Sequence, residues 1–444
     1  MFGTSGIRGA VGTEVTAALA LAVGRAVASE GADRVVVGRD VRDSGRMLTD
    51  ALAAGVRECG SEVVDLGVES TPTVARSIET FDADAGVVIT ASHNPPTDNG
   101  IKLWTPSGKA FGPERRDGIA RRVEQEEYDL VRWDEIGERR RRETARDAHA
   151  TQLVDAVDVA EPPQVVLDLG NGAGTVTASV LQELGCRVLT LNGNQDGAFP
   201  GRPSEPTRET LEPLAALVAE TDAALGLAHD GDADRLLTVD GSGRFVPKDV
   251  LFALFAREAA GDGDRVAAPI DTSLAVDDAL AAVGASVTRT QVGDVFVAER
   301  ATEPDVTFGG EPSGAWIWPE ETLCPDGPLA ACKLVELVAK RGSLANLVDG
   351  GEQHPIRRTS IETAAKERVM DGVRDRVRER FDEVETLDGV RVEREDGWFL
   401  VRASGTQPLV RVTAEGRSAS AADDLFEVAS DLVTDAKSET GVDE

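Results

Sequence analysis

Short apolar, β-branched runs alternate with longer amphipathic stretches along most of the chain. The runs Val35–Val37, Val63–Leu66, Gly86–Thr90, Val165–Leu169, Ala223–Ala228, Arg265–Ile270 and Val306–Phe308 read as strands. Between them, Glu14–Glu30, Arg46–Cys59, Val176–Leu184, Thr210–Glu220 and Asp249–Ala259 read as amphipathic helices. Strand, loop, helix, strand in succession predicts α/β units around mostly covered sheets. Beyond His354 the rhythm changes to a helix over Thr363–Phe381, strands near Val390–Arg394 and Trp398–Arg402, a Gly turn and one more strand.

Three breaks divide the pattern. The charged run Glu135–Arg146 carries a dense Arg cluster before a helix start near Thr151, Asp240–Gly243 is a turn, and Gly342–His354 is Gly-rich and runs into Pro355. These predict α/β domains over residues 1–148, 149–243 and 244–353, and a smaller α+β domain over 354–444. The expected fold is three similar α/β domains with mixed sheets plus that C-terminal domain around a central cleft. A chain of 444 residues is too long for one core, which agrees.

The formal charge of −32 disfavours nucleic acid and anionic membrane as partners, because both repel such a surface, and neither is expected. Only seven of the 47 basic residues are Lys, which together with the acidity points to a salt-rich, halophilic cytoplasm. No apolar run is long enough to span a bilayer, and Met1–Gly9 lacks the layout of a signal peptide, so a cytoplasmic protein is expected. Cys59, Cys186, Cys324 and Cys332 form no C-x-x-C pair and read as buried free thiols.

The chemistry gathers in loops after predicted strands, where open α/β sheets bind ligands. Asp230, Asp232 and Asp234 share one face of an extended chain, with Gly231 and Ala233 leaving room for the backbone to curl. Their mutual repulsion is reversed by a divalent cation with oxygen ligands, for which Mg²⁺ is suited. Residues Arg235 and Gly241 stand where an EF-hand needs Gly and Glu, which rules that loop out. Ser92 follows the run Gly86–Thr90 and can be a nucleophile or a turn residue; the adjacent His93 does not make a Ser–His hydrolase pair. The Gly170–Gly174 loop fits either a tight strand-to-helix turn or a cofactor loop of methyltransferase type. Arg402, Ser404, Gly405, Thr406 and Arg411 combine two cations, two hydroxyls and Gly backbone amides, an inventory suited to a phosphate dianion. The opening Gly3–Gly9 loop is built alike.

Taken in order, Thr90-Ala91-Ser92-His93-Asn94-Pro95, Asp230-Gly231-Asp232-Ala233-Asp234-Arg235, Gly310-Glu311-Pro312-Ser313-Gly314 and the Arg402–Arg411 loop resemble the α-D-phosphohexomutase family over essentially the whole chain. That resemblance implies a phosphoserine at Ser92 and a Mg²⁺ ion held by Asp230, Asp232, Asp234 and a phosphoserine oxygen. It also implies Arg8, Arg235 and Lys102 around the transferring phosphoryl group, with Lys102 and His93 near the reacting hydroxyl. Glu311 and Ser313 would grip sugar hydroxyls, and Arg402, Ser404, Gly405, Thr406 and Arg411 the distal phosphate. The implied partner is a hexose phosphate, converted between 1- and 6-phosphates through a 1,6-bisphosphate by a monomer or homodimer.

Three positions depart from the family pattern: Ala315 replaces a His, Gln291 stands where Lys is frequent, and Gln407 replaces a Glu. They bear on sugar choice, with glucosamine phosphate favoured by Asp98–Lys102 and Ser404–Thr406, and mannose or glucose phosphate as alternatives. From other classes, an S-adenosylmethionine-dependent methyltransferase would leave the Asp trio and the Arg402 loop unexplained. A non-catalytic sugar-phosphate sensor would account for the departures.

Overall fold

The computed structural model describes residues 2–3, 6–349, 353–404 and 408–439. Its strands are β1 (Ile7–Ala10), β2 (Arg34–Arg39), β3 (Glu62–Val68), β4 (Ala85–Ile89), β5 (Asp98–Trp104), β6 (Arg139–Arg141), β7 (Gln164–Asp168), β8 (Arg187–Leu191), β9 (Leu225–Ala228) and β10 (Leu237–Asp240). They continue as β11 (Arg265–Pro269), β12 (Ser286–Thr290), β13 (Val306–Glu311), β14 (Ala315–Ile317), β15 (Ile356–Glu362), β16 (Val384–Glu385), β17 (Val390–Arg394), β18 (Gly397–Ala403) and β19 (Leu409–Gly416). Two compact units result: Met1–Lys248 with Gly293–Gly350, and Asp249–Val292 with Gly351–Glu444.

In the first unit, one sheet runs β1-β5-β4-β2-β3-β6. Strands β4, β2, β3 and β6 are parallel, and β5 and β1 are added antiparallel. The central strands are Val-rich and buried on both faces, as parallel strands under helices must be. Helices Ala17–Ser29 and Gly45–Glu58 approach so closely that a Cβ on Gly24 would lie 2.2 Å from the Leu52 carbonyl, and one on Gly55 2.1 Å from that of Leu21. Only glycine fits there. A second mixed sheet runs β10-β9-β7-β8, with β10 antiparallel. The β13–β14 hairpin completes this unit's strands.

The second unit holds the parallel β11–β12 pair and an antiparallel sheet in the order β15-β19-β18-β17-β16. Helices Lys366–Arg380 and Ala419–Glu439 bury Val369, Val373, Val377, Leu425 and Val433 against Val401 and Val412. Glu415 is fully buried, yet its carboxylate accepts from Ser273 Oγ (2.5 Å), the Leu274 amide (2.8 Å) and Trp398 Nε1 (2.7 Å). Those three donors offset its loss of water.

All ten predicted strands and the seven predicted helices form, with shifted ends. The first helix starts at Ala17, because Thr16 caps it by accepting from the Leu19 amide. The helix expected near Thr151 begins at Ala145. Part of the Arg cluster before it is not a linker, since Arg139–Arg141 pair with β3 as the charged edge β6. The Gly-rich break contains a short helix, Leu344–Val348. Among the described residues, no helix is long and apolar enough to cross a membrane.

Candidate active site

Strand order in the first sheet explains how the Ser92 site assembles. Ser92 lies just past the carboxyl end of β4; the neighbouring β5 carries Lys102 opposite Val88, and β1 carries Arg8 opposite Gly100. Past the end of β9, in the other sheet of this unit, comes the Asp230–Asp234 loop. Arg8 Nη2 donates to Ser92 Oγ (3.1 Å), and Ser92 Oγ donates to Asp232 Oδ2 (3.1 Å). Lys102 Nζ donates to Asp232 Oδ2 (2.9 Å) and Asp234 Oδ2 (2.6 Å). Thr71 Oγ1 gives Asp232 Oδ2 a third side-chain bond, at 2.5 Å.

The three aspartates converge through a tight turn with Ala233 at φ +57°, rather than by alternation along an extended strand. One carboxylate oxygen from each lies within 4.8 Å of the others. Asp230 Oδ2, Asp232 Oδ1 and Asp234 Oδ1 are buried and have no hydrogen-bond partner. Burial, and then Asp234 and Asp232, raise the Asp230 carboxyl well above the usual range. Burial presses Asp232 the same way but is outweighed by Lys102, Thr71 and Arg8, so its carboxyl sits below the usual range. Three convergent acceptors without donors fit a hard divalent cation, and burial of this kind is costly without one.

His93 is half-buried with its Nδ1 unpartnered. Burial, with the Arg235, Arg8 and Lys102 charges, pushes its imidazole down to about 3, so it is neutral. Lys102 is the opposite case: burial lowers its ammonium, but Asp232 and Asp234 outweigh that and hold it above its ordinary value.

The Glu311 loop is tied to the strand leaving the aspartate loop. The Leu236 amide donates to the Gly314 carbonyl (3.0 Å), Trp316 Nε1 donates to the Leu236 carbonyl (3.1 Å), and Arg235 bridges to Ala315. Glu311 accepts from the Gly293 amide (2.8 Å) and from Ser313 Oγ (3.1 Å). Ala315 is buried, and its β-bridge uses backbone alone. Ser92, His93, Lys102, Arg8, Arg235, the Asp trio, Glu311 and Ser313 therefore all belong to the first unit.

Arg402, Ser404 and Arg411 lie in the second unit. Arg402 on β18 and Arg411 on β19 are directly opposed, so two guanidiniums start from one face of the sheet. Arg402 is paired with Asp388 at 3.0 Å, and Lys366 Nζ donates to the Ser404 carbonyl (2.6 Å). Gly405, Thr406 and Gln407 lie outside the described residues. Gln291 is committed to the Leu387 carbonyl at 3.0 Å.

The Gly170–Gly174 loop is packed, not open. A Cβ on Gly172 would lie 2.7 Å from the Gly231 carbonyl, and one on Gly174 2.9 Å from Ala233 Cβ. Its glycines admit the aspartate loop, which removes the space a methyltransferase cofactor needs.

Sequence reading missed the groups that hold the Ser92 loop. Ser92 has φ +48°, a strained conformation for a residue with a side chain. The fully buried Arg42 donates to the carbonyls of Ser92 (2.9 Å), Asn94 (2.6 Å), Asp98 (2.9 Å) and Pro95, and to Asp40 Oδ2 (3.0 Å). Thr90 Oγ1 accepts from the Ser92 amide (2.8 Å), and Ser204 Oγ donates to the Ser92 carbonyl (2.9 Å).

Comparison with known proteins was made against this geometry. Three phosphoglucomutase/phosphomannomutase α/β/α domains match, domain I over residues 1–129, domain II over 147–243 and domain III over 247–353. The C-terminal domain of the same proteins matches residues 359–432, so three α/β domains and a distinct fourth are present, as expected. A probable phosphoglucosamine mutase of Methanopyrus kandleri is 44% identical over 441 residues, covering 97% of each chain. One from Methanococcoides burtonii is 42% identical, covering 98% of this chain and 99% of the relative. A crystal structure of a phosphoglucomutase/phosphomannomutase family protein from Burkholderia thailandensis superposes with TM-score 0.88 at 28% identity, over 98% of both chains. The fold extends to Aspergillus fumigatus N-acetylphosphoglucosamine mutase in complex with GlcNAc-6P and magnesium, at TM-score 0.61 and 16% identity, over 98% of this chain and 95% of that one.

Proposed function

The chain belongs to the phosphoglucomutase/phosphomannomutase family, and on that premise we propose that it interconverts hexosamine 1- and 6-phosphates through a phosphorylated Ser92. The observation carrying this reading is Ser92 Oγ held between Arg8 and Asp232, beside three buried carboxylates with unpartnered oxygens. Asp230, Asp232 and Asp234 would hold Mg²⁺, which would offset the charge of a phosphoserine placed beside three carboxylates.

In the forward transfer, a sugar hydroxyl oxygen attacks the phosphoserine phosphorus and the P–Oγ bond breaks. The hydroxyl proton leaves to a basic group; His93 would need the negative charge of the phosphoserine beside it to become basic enough for that part. Arg8, Arg235 and the ammonium of Lys102 stabilise the negative charge spread over the transferring oxygens. The resulting 1,6-bisphosphate turns over, and Ser92 takes the other phosphate. Glu311 and Ser313 would bind sugar hydroxyls. The opposed Arg402 and Arg411 support a distal-phosphate grip, with Ser404, Gly405 and Thr406 on the same loop. The partition into residues 1–148, 149–243, 244–353 and 354–444 accompanies this proposal.

Glucosamine phosphate as preferred substrate is supported by the names of the 44% and 42% identical relatives. Phosphorus NMR of 1-phosphate to 6-phosphate conversion, with glucosamine, mannose and glucose phosphates in molar KCl, tests it. Glucosamine phosphate should lead in kcat/KM, with at least one neutral sugar measurably converted. A faster neutral sugar would reverse the substrate assignment, and no turnover of any sugar would favour the sensor reading.

A further inference from the structure

A cavity of about 750 Å³ opens in the first unit at the carboxyl ends of β2 and β3 and beside β6. None of the residues assigned to phosphoryl transfer lines it, although the carboxyl end of a parallel sheet is where such folds bind ligands. In a chain of charge −32, five arginines line this one space: Arg39, Arg46, Arg139, Arg141 and Arg146. Three of them are answered locally. Arg139 and Arg141 pair with Asp65 (2.7 and 3.0 Å), and Arg146 pairs with Glu69 (3.0 Å).

Arg39 and Arg46 are not answered. Among the described residues neither has a carboxylate at ion-pair distance, and Arg39 donates only to the Asp40 carbonyl (3.1 Å). Burial lowers the Arg39 guanidinium; Asp40 and Asp65 oppose that, and Arg141 and Arg46 press against it as like charges. Thr49 lines the same cavity, is only 3% exposed, and has an Oγ1 with no hydrogen-bond partner. Helix Gly45–Glu58, which carries Arg46 and Thr49, starts at Ser44 without a side-chain capping bond. Arg46 stands in its first turn, the wrong sign for that end of the helix dipole. A bound anion would resolve every one of these features: two unpaired guanidiniums, an orphan buried hydroxyl and an uncapped helix start. Asp50, Glu143 and Asp147 also line the cavity but are exposed, where solvent screens them, and Asp50 pairs with Arg139 at 2.8 Å.

We propose that this cavity is a second anion site, distinct from the Ser92 cleft, that takes a small phosphorylated metabolite on Arg39, Arg46 and Thr49. Its volume is in the range of sites for small organic ligands.

Calorimetric titration of the full chain with inorganic phosphate in Mg²⁺, on a background of Arg411→Ala to weaken phosphate binding in the catalytic cleft, tests it. One saturable phosphate site should remain, and Arg39→Gln and Arg46→Gln should each weaken it at least tenfold. Mutase turnover of Arg46→Gln without added phosphate should match the parent. If Arg39→Gln does not fold, Arg46→Gln decides alone, since that residue is exposed. Malonate, titrated in parallel, should bind at least tenfold more weakly than phosphate; equal binding would overturn the phosphate assignment. No saturable binding, or an affinity unchanged in Arg46→Gln, would mean an adventitious ion only and overturn the site.

Discussion

Replacing Arg42 by Lys tests whether the Ser92 loop is held from behind by a single buried cation. Arg42 Nε and its terminal nitrogens reach five acceptors, four of them backbone carbonyls between Ser92 and Asp98. Lysine brings three donors on one nitrogen, so at least two of those bonds are lost. At about 1.5–3 kcal/mol for a bond to a charged donor, the loop loses roughly 3–6 kcal/mol of support. A strained residue such as Ser92 costs about 1–3 kcal/mol and persists only while its surroundings hold it. The loss is therefore large enough to let φ of Ser92 relax. Displacing a reacting group by about 1 Å costs on the order of 10²-fold in rate. Arg42→Lys should accordingly lower kcat about 100-fold with little change in KM. Hydrogen exchange, followed by mass spectrometry over residues 91–99, should accelerate far more than in the β15–β19 sheet. A variant with parental kcat and parental exchange in that segment would refute the reasoning.

Asp232→Asn removes the aspartate that Ser92, Lys102 and Thr71 all contact, and should cut turnover by orders of magnitude while the circular dichroism spectrum stays unchanged. EDTA should abolish activity and Mg²⁺ restore it; a full rate after EDTA would leave the trio as a turn. Arg411→Ala removes one of two opposed guanidiniums and should raise KM for the hexose phosphate at least tenfold, an unchanged KM placing that phosphate elsewhere. Acid should destabilise the first unit through His149, which burial keeps below its ordinary value despite Asp326, its partner at 3.3 Å. The unfolded chain takes up that proton below about pH 6.5 and the folded chain does not, so each pH unit below costs up to about 1.4 kcal/mol. Denaturation of His149→Gln should lose less stability between pH 7.5 and 5.5 than the parent; parallel slopes would contradict this.

Strands were legible where burial on both faces makes them continuous Val and Ile runs, as in β2, β3 and β4. Strand β6 was not, because Arg139, Arg140 and Arg141 are an exposed edge paired by backbone, and no hydrophobic signal marks it. The helix Ala145–Asp155 was placed late for a related reason: its buried face is Ala145, His149 and Leu153, of which two read as polar or neutral. Within the site, the local motifs around Ser92 and Asp230–Asp234 were readable because their residues are adjacent in sequence. The groups that hold them were not, since Arg42, Ser204 and Thr71 act across separations of 50, 112 and 161 residues. The Gly170–Gly174 loop shows the same limit, because its glycines answer to a neighbouring loop that sequence does not place beside them.

The most direct test of the account is a single-turnover transfer from the protein itself. Protein carrying isotopically labelled phosphate on Ser92 is mixed with a stoichiometric amount of glucosamine 6-phosphate in Mg²⁺, and the label on the protein and in the sugar products is followed together. The account predicts a phosphate on Ser92 that leaves the protein as hexosamine 1,6-bisphosphate appears, and a Ser92→Ala protein that carries no phosphate and makes none. A labelled phosphate that never enters the sugar while the sugar isomerises, or full turnover by Ser92→Ala, would contradict it.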